Sequence, residues 1–315
     1  MSPDGVTLPD CWEQRVTLVE GDLTVPRFGL SDHKWHGLAD NVRAIYHNGA
    51  LVNYLTGYHV MREANVGATN EVVRLALSRR PKVLNHISTT FVFGWSVQET
   101  LFEADTNGGM ERLDFGYSQS KWVSEHVVRD AMERGLHARI FRPALLTPSV
   151  NGGGCNYDIA MRLLAFMINN GLTTTAQNQV SFCPADIAAG NIVAISRIED
   201  SIDATYHVTR DEFASLSDIT TIIAELTGRP FRSYALPDFV PEVIQRCRSG
   251  DILFPLLDFL VRSVDNITAM EFKRYDNSNY RRVRDASPCG TADPSLHDVV
   301  LGILRFMRRH GIVNA

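Results

Sequence analysis

Through the first half of the chain, short apolar runs alternate with amphipathic stretches of helical length. Arg15 to Glu20 (Arg-Val-Thr-Leu-Val-Glu) has the alternation of a strand and runs into Gly21-Asp22. Lys34 to Val42 predicts a short helix, and Ala44 to His47 a second strand closed by Asn48-Gly49-Ala50. Tyr58 to Arg80 predicts a long helix, with Val66, Val72, Val73, Leu75 and Leu77 as its apolar positions. Lys82 to Ile87 is a third strand, Tyr117 to Glu133 a helix, and Ala138 to Arg142 a fourth strand ending at Pro143. Strands alternating with helices imply a parallel sheet covered on both faces, which binds ligands at the carboxyl ends of its strands. Small and polar residues cluster at those ends: Gly21-Asp22, His47 to Ala50, and Ser88-Thr89-Thr90. Turns favour the same residue types, so the clusters alone do not make a site.

The texture changes after Pro148. Ser149 to Gly154 is a flexible loop, followed by a helix over Asp158 to Asn169 and a loop over Gly171 to Gln179. A strand at Val180 to Cys183, a helix at Asp186 to Ile198 and a strand at Ala204 to Val208 come next. The remainder is mainly helical: Ser217 to Thr227, Pro241 to Arg246, Ile252 to Val264 and Pro294 to His310.

Composition narrows the class. The chain has 315 residues, 44% of them hydrophobic and 21% charged, with a net charge of −5, as in an ordinary soluble globular protein. The acidic balance argues against a nucleic-acid partner. Five cysteines (Cys11, Cys155, Cys183, Cys247, Cys289) stand far apart and form no CxxC, so neither a disulfide framework nor a zinc site is expected, and a reducing cytoplasm fits. No secretory signal is visible at Met1 to Arg15. The longest apolar stretch, Ile252 to Val261, is too short for a membrane span and is broken by Pro255 and Asp258. His47 and His86 end strands without acidic partners at metal-ligand spacing and are expected to be packed residues.

The sharpest chemical signal is Phe115-Gly-Tyr117-Ser-Gln-Ser-Lys121. Tyr117 and Lys121 are four apart at a helix start and so share one face. A phenol with an ordinary pKa near ~10 is expected to be lowered by a neighbouring ammonium, and can then exchange a proton with an oxygen undergoing reduction. Nine Tyr and four Lys in 315 residues give about 0.1 such spacings by chance, and this is the one that occurs. A surface Tyr and Lys on a solvated helix would have the same spacing. Upstream, Ser88, Thr89 and Thr90 end a buried strand, where a hydroxyl can donate to the same developing oxyanion or merely begin a turn.

Together these residues resemble the extended short-chain dehydrogenase/reductases, which place a Ser/Thr at a strand end and a Tyr-x-x-x-Lys roughly 25–30 residues later. Thr89 to Tyr117 is 28 residues. Further stretches resemble one branch, the thioester reductase domains that terminate nonribosomal peptide and polyketide synthases and their relatives, the carboxylic acid and aminoadipate reductases. These are Val19-Glu-Gly-Asp-Leu-Thr-Val-Pro26 with Phe28-Gly-Leu30 and Trp35, Ile45 to Asn53, Ala64-Asn65-Val66 with Gly67 to Val72, Pro184-Ala-Asp186-Ile-Ala188, and Tyr206-His207-Val208. The likeness is close from Val16 to Val208 and loose beyond. It implies an α/β, Rossmann-like parallel sheet over residues 1–150, truncated at its N-terminus, and a smaller, mainly helical substrate-binding region over 151–315, with 180–208 returning to the sheet.

By that resemblance Tyr117 is the general acid, Lys121 tunes it and holds the nicotinamide ribose, and Thr89 orients the substrate carbonyl, with Ser88 as runner-up. Asp22 and Leu23 would lie near the adenosine; Asn48, Gly49 and Ala50 would pass under the cofactor; Asn65 would fix the backbone or water behind Lys121, and Pro143 would line the cofactor site. The cofactor implied is NADPH, the partner a carrier protein bearing a phosphopantetheine thioester, and no metal, membrane or nucleic acid is implied. The chain departs from the family in two places. Its first recognisable strand resembles the family's third, so roughly 60 residues, two βα units of about 30 each with their glycine-rich turn, are expected from a preceding segment or another chain. Pro143 is followed by Ala144 where relatives carry Gly. Gly152-Gly-Gly154 does not open a helix three residues on and is no substitute for the phosphate turn. The expected activity is reductive release of an acyl thioester as an aldehyde, or further to an alcohol. Redox-neutral cyclising release and an inactive docking remnant are the alternatives, and an epimerase or dehydratase of the same superfamily is a further one.

Overall fold

The computed structural model describes residues 11–96, 98–154, 157–269 and 273–313. Cys155 and the first ten residues lie outside these. At the centre is a four-stranded parallel sheet of β1 (Ala44–His47), β2 (Val83–Ile87), β3 (Ala138–Pro143) and β4 (Ala204–Val208), in that spatial order. Its register pairs Tyr46 with Asn85, His86 with Ile140, and Phe141 with Tyr206.

Helices connect the strands. A short α1 (Asp32–Asn41) is capped by Ser31. The long helix after β1 begins as α2 (Tyr58–Arg62), passes through a π-helical turn at Glu63–Gly67 and continues as α3 (Ala68–Leu77). α4 (Gly116–Glu133) precedes β3, α5 (Ile159–Asn170) follows it, and α6 (Ala185–Ser196) precedes β4. Successive strand residues face opposite sides. Ile140 packs with Val72, Ala76, Val128 and Ala131 of α3 and α4, whereas Phe141 packs with Ile192 and Ile195 of α6. Both faces of β3 are therefore covered, which is why all six of its residues are buried.

The C-terminal part forms a separate helical cluster. Met161, Leu164 and Ile168 of α5 pack against Ile219 and Ile223 of α7 (Leu216–Thr227) and Val299, Ile303 and Met307 of the closing helix α8 (Leu296–Arg309). Among the described residues no helix is long and apolar enough to cross a membrane.

Four local expectations are corrected. Arg15 to Glu20 is not a strand: a turn of helix at Trp12–Arg15 leads into chain without strand pairing. β1 pairs only with β2 among the described strands, so this segment has no ladder partner, and Leu18 is 84% exposed. The helix foreseen to Arg80 ends at Leu77, after the π-turn. The loop over Gly171 to Gln179 contains a strand, Leu172–Thr174, parallel to the distant Arg232–Tyr234. Ile252 to Val264 is broken into Phe254–Leu256, Leu257–Arg262 and Val264–Ala269. Pro255, which lacks an amide hydrogen, sits in the first of these pieces.

Candidate active site

Tyr117 is the second residue of α4. The residue before it, Gly116, is pressed against the start of α2: a Cβ there would lie 2.3 Å from the Thr56 carbonyl oxygen and 2.5 Å from Tyr58 N. That contact fixes where the helix begins. One turn on, the buried Lys121 sends its ammonium to the Ile87 carbonyl at the end of β2, at 2.6 Å. Tyr117, Lys121, Ser88 and Thr89 all line one cavity of about 260 Å³ beyond the carboxyl ends of the strands.

The two adjacent hydroxyls of β2's end have different partners. Ser88 Oγ donates to Glu125 Oε2 at 2.7 Å, deep under α4. Thr89 accepts from Phe91 N at 3.2 Å, and its hydroxyl is close enough to the Tyr117 phenol to pull the phenol's pKa down. Behind them Glu125 is clamped by the guanidinium of Arg142, which is fully buried, and by that of Arg129. Burial opposes the charge on Glu125, but Arg142, Arg129 and the Ser88 hydroxyl outweigh it and hold the carboxyl at about 2.

The electrostatics correct one expectation. Tyr117 is not lowered by Lys121; burial pushes it up to about 12, against the pull of the Thr89 hydrogen bond. Lys121 itself is lowered to about 8 by burial, with Glu125 opposing. The phenol is therefore a neutral hydrogen-bond donor at ordinary pH, with a mostly charged ammonium one turn away.

The residues implied to hold a dinucleotide spread over two adjoining cavities. Asn48 and Pro143 line the Tyr117 cavity, Asp22 and Leu23 line an open cleft of about 810 Å³, and Ala50 lines both. Asp22 accepts from Thr24 N at 2.8 Å and from the Thr24 hydroxyl, contacts that lower its pKa. Gly49 lies against Leu23, with a hypothetical Cβ 3.2 Å from Leu23 Cδ1. Asn65 lines neither cavity. It sits in the π-turn, exchanges two hydrogen bonds with the backbone of Leu51 (2.7 and 3.0 Å) and donates to Ser120 Oγ at 2.8 Å. It thereby ties the loop after β1 to α4. The residues implied to hold a dinucleotide thus border two spaces that share Ala50. The run Gly152–Gly154 offers no phosphate cradle, because Asp158 already caps the following helix by accepting from Met161 N at 2.9 Å, and its charge would repel an anion.

Sequence reasoning missed Tyr54, Asp158 and a second cavity. Tyr54 packs its ring on Tyr117 at 5.9 Å and on Phe115 at 5.3 Å. Asp158, raised to about 6 by burial, lines the same cavity as Tyr117 and Lys121. The second cavity, about 230 Å³, lies between the turn after Thr89 and the start of α4, and shares Phe91 with the first. No local sequence pattern marks any of these, since their neighbours come from distant segments. His47 is buried against Thr69 at 2.9 Å, and among the described residues no His/Cys/Asp/Glu cluster could hold a metal ion.

Residues 5–192 match the male sterility protein family of NAD-binding domains. The chain belongs to this family. It is 34% identical over 224 residues to a component of the linear gramicidin synthase of Brevibacillus parabrevis, a match covering 69% of this chain and 4% of that protein. It is 35% identical over 195 residues to the L-2-aminoadipate reductase of Saccharomyces cerevisiae, covering 58% of this chain and 14% of the relative. The chain thus spans a small fraction of the length of these curated relatives. Among solved structures, the terminal R domain of the myxalamid PKS-NRPS pathway superposes with a TM-score of 0.88 at 29% identity, over 98% of this chain and 78% of that one. The reductase domain of a Mycobacterium tuberculosis nonribosomal peptide synthetase shares the fold, with a TM-score of 0.75 at 20% identity, over 95% of this chain and 77% of that one. The parallel-sheet architecture expected from the sequence is thus that of reductase domains.

Proposed function

We propose that this chain forms the core of a thioester reductase, releasing an acyl group from the phosphopantetheine of a carrier protein as an aldehyde with NADPH as reductant. The observation that carries this reading is the convergence of Thr89, Tyr117 and Lys121 on one cavity at the strand ends. When bound, reduced nicotinamide supplies hydride to the thioester carbonyl carbon. Asn48, Ala50, Lys121 and Pro143 would hold its nicotinamide riboside, and Asp22 with Leu23 its adenosine.

This chain's residues manage the oxygen and the proton. Thr89 and Tyr117 donate to the carbonyl oxygen as it gains negative charge, a stabilisation that is strongest in a site closed to water. Tyr117, a neutral phenol that burial keeps protonated, passes its proton to that oxygen. The phenolate left behind is compensated by the Lys121 ammonium. The tetrahedral hemithioacetal then expels the pantetheine thiol, leaving an aldehyde. Ser88, whose hydroxyl is given to Glu125, supports the strand end. In this reading residues 1–150 carry the nucleotide side of the cleft and 151–315 the substrate side, with 180–208 belonging to the sheet.

The test is NADPH oxidation by the full-length protein with an acyl-CoA or carrier-bound thioester, with the aldehyde identified as product. Tyr117→Phe should lower the rate about 10²- to 10⁴-fold. Undiminished turnover in Tyr117→Phe, or product released without NADPH, would overturn the reading.

A further inference from the structure

The cavity behind Phe91 is walled by aromatic rings. Trp95 stacks on Phe259 with centroids 6.2 Å apart and planes 17° from parallel; Phe259 meets Phe115 at 4.4 Å, and Phe115 meets Phe91 edge-on at 6.4 Å. Tyr275 closes another side. The polar side chains in the wall are already committed to protein partners. Trp95 Nε1 donates to the Asp114 carboxylate, Ser118 Oγ to the Phe115 carbonyl at 2.9 Å, and Lys273 Nζ to the Gly94 carbonyl at 2.8 Å, while the Thr90 hydroxyl acts on the Tyr275 phenol and pulls its pKa down against burial. What the cavity presents inward is therefore mostly hydrocarbon and ring faces.

Its position ties it to the reaction. Thr90 and Phe91 directly follow Thr89, Phe115 and Ser118 lie within two residues of Tyr117, and Phe91 is a wall common to this cavity and the one that holds both hydroxyls. Its volume of about 230 Å³ can be judged against an apolar cavity of about 150 Å³, which is enough to take up benzene. The space thus holds a benzene-sized ring with a short tether, and offset or edge-to-face contacts with ring walls favour an aromatic occupant.

We infer that this cavity is the acyl pocket and that the substrates are thioesters whose acyl group carries an aryl ring within a few bonds of the carbonyl. The inference rests on the thioester-reductase reading and deepens it.

The experiment compares kcat/KM of the full-length protein for 3-phenylpropanoyl-CoA and propanoyl-CoA, in the wild type and in two variants. Ile267 also lines the cavity, and Ile267→Trp fills it; Phe259→Leu removes one ring face. The wild type should favour the aryl thioester by about 10- to 100-fold, from burial of the ring. Ile267→Trp should bring the ratio close to one, and Phe259→Leu should lower it part of the way. A wild-type ratio near one with both thioesters reduced overturns the inference alone. So does a ratio that neither substitution changes. Failure to reduce either thioester overturns the reductase reading and the inference with it.

Discussion

Ser88 and Thr89 are neighbours in sequence but have different partners at the strand end: Ser88 donates inward to Glu125 at 2.7 Å, whereas Thr89 accepts from Phe91 N at 3.2 Å and acts on the Tyr117 phenol. The difference assigns them different expected phenotypes. Thr89→Ala removes a donor to the developing oxyanion and should cost about 10²- to 10³-fold in kcat, besides about 1 kcal/mol of stability for the lost cap to Phe91 N. Ser88→Ala leaves Glu125 its two arginines but one hydrogen bond poorer, and should cost about 1 kcal/mol of stability with a smaller effect on kcat. Steady-state assays of thioester reduction beside urea melts separate the two. Equal kinetic losses in both variants would contradict the division of labour.

The shifted pKa values give the pH profile a sign. Tyr117, held at about 12, stays protonated across the working range, so its ionisation sets no limb there. Lys121, lowered to about 8 by burial, is charged below that pH and neutral above it. Once it is neutral, the phenolate formed on proton transfer has no compensating cation. The kcat/KM for thioester reduction should therefore fall as pH rises through about 8, above the range in which Asp158, held at about 6, titrates. Lys121→Arg, which keeps a charge at every accessible pH, should show a lower rate without that limb.

Much of the fold was legible because it is written locally. Ala44–His47 and Ala204–Val208 are strands with the foreseen limits, and Tyr117 with Lys121 announces itself by a four-residue spacing on one helix. What escaped depends on distant partners. Arg15 to Glu20 has strand composition, but strand structure needs a neighbour, and none lies beside it among the described residues. The contact that sets Ser88 apart from Thr89 comes from Glu125, 37 residues from Ser88. The sign of the Tyr117 shift came from burial, which a Tyr-Lys spacing does not reveal. The aromatic cavity draws Phe91, Phe115, Phe259 and Tyr275 from widely separated segments, and no local pattern could have gathered them.

Glu125 neutralises Arg142, a guanidinium with no exposure, whose remaining partners are the Glu103 carbonyl at 3.3 Å and His207 at 3.2 Å. Removing one member of a buried ion pair strands the other charge, at a cost of about 3–5 kcal/mol. Glu125→Ala should therefore lower the free energy of unfolding by about that much. Replacing both partners with apolar residues, Glu125→Leu with Arg142→Met, should recover most of the loss, because the desolvation cost of the pair disappears with it. Denaturant melts of the two single variants and the double variant test this. A double variant as unstable as the sum of the singles would show that the pair is not acting as a unit.

Gly116 sets the position of Tyr117 through a contact that tolerates no side chain. A methyl group there would lie 2.3 Å from the Thr56 carbonyl oxygen and 2.5 Å from both Gly57 C and Tyr58 N, all backbone atoms that cannot swing aside. Gly116→Ala must therefore push the start of α4 away from α2, carrying the phenol away from Thr89. Overpacking of this kind costs about 1–3 kcal/mol, and a displacement near 1 Å at a reacting group can cost about 10²-fold in rate. Gly108→Ala is the control, since nothing lies within 4 Å of the added methyl. Gly116→Ala should thus lose both stability and turnover while Gly108→Ala loses neither. Because helix propensity alone favours Ala over Gly by about 1 kcal/mol, a Gly116→Ala variant that gained stability and kept its rate would mean that α4 is not held against Thr56 in this way.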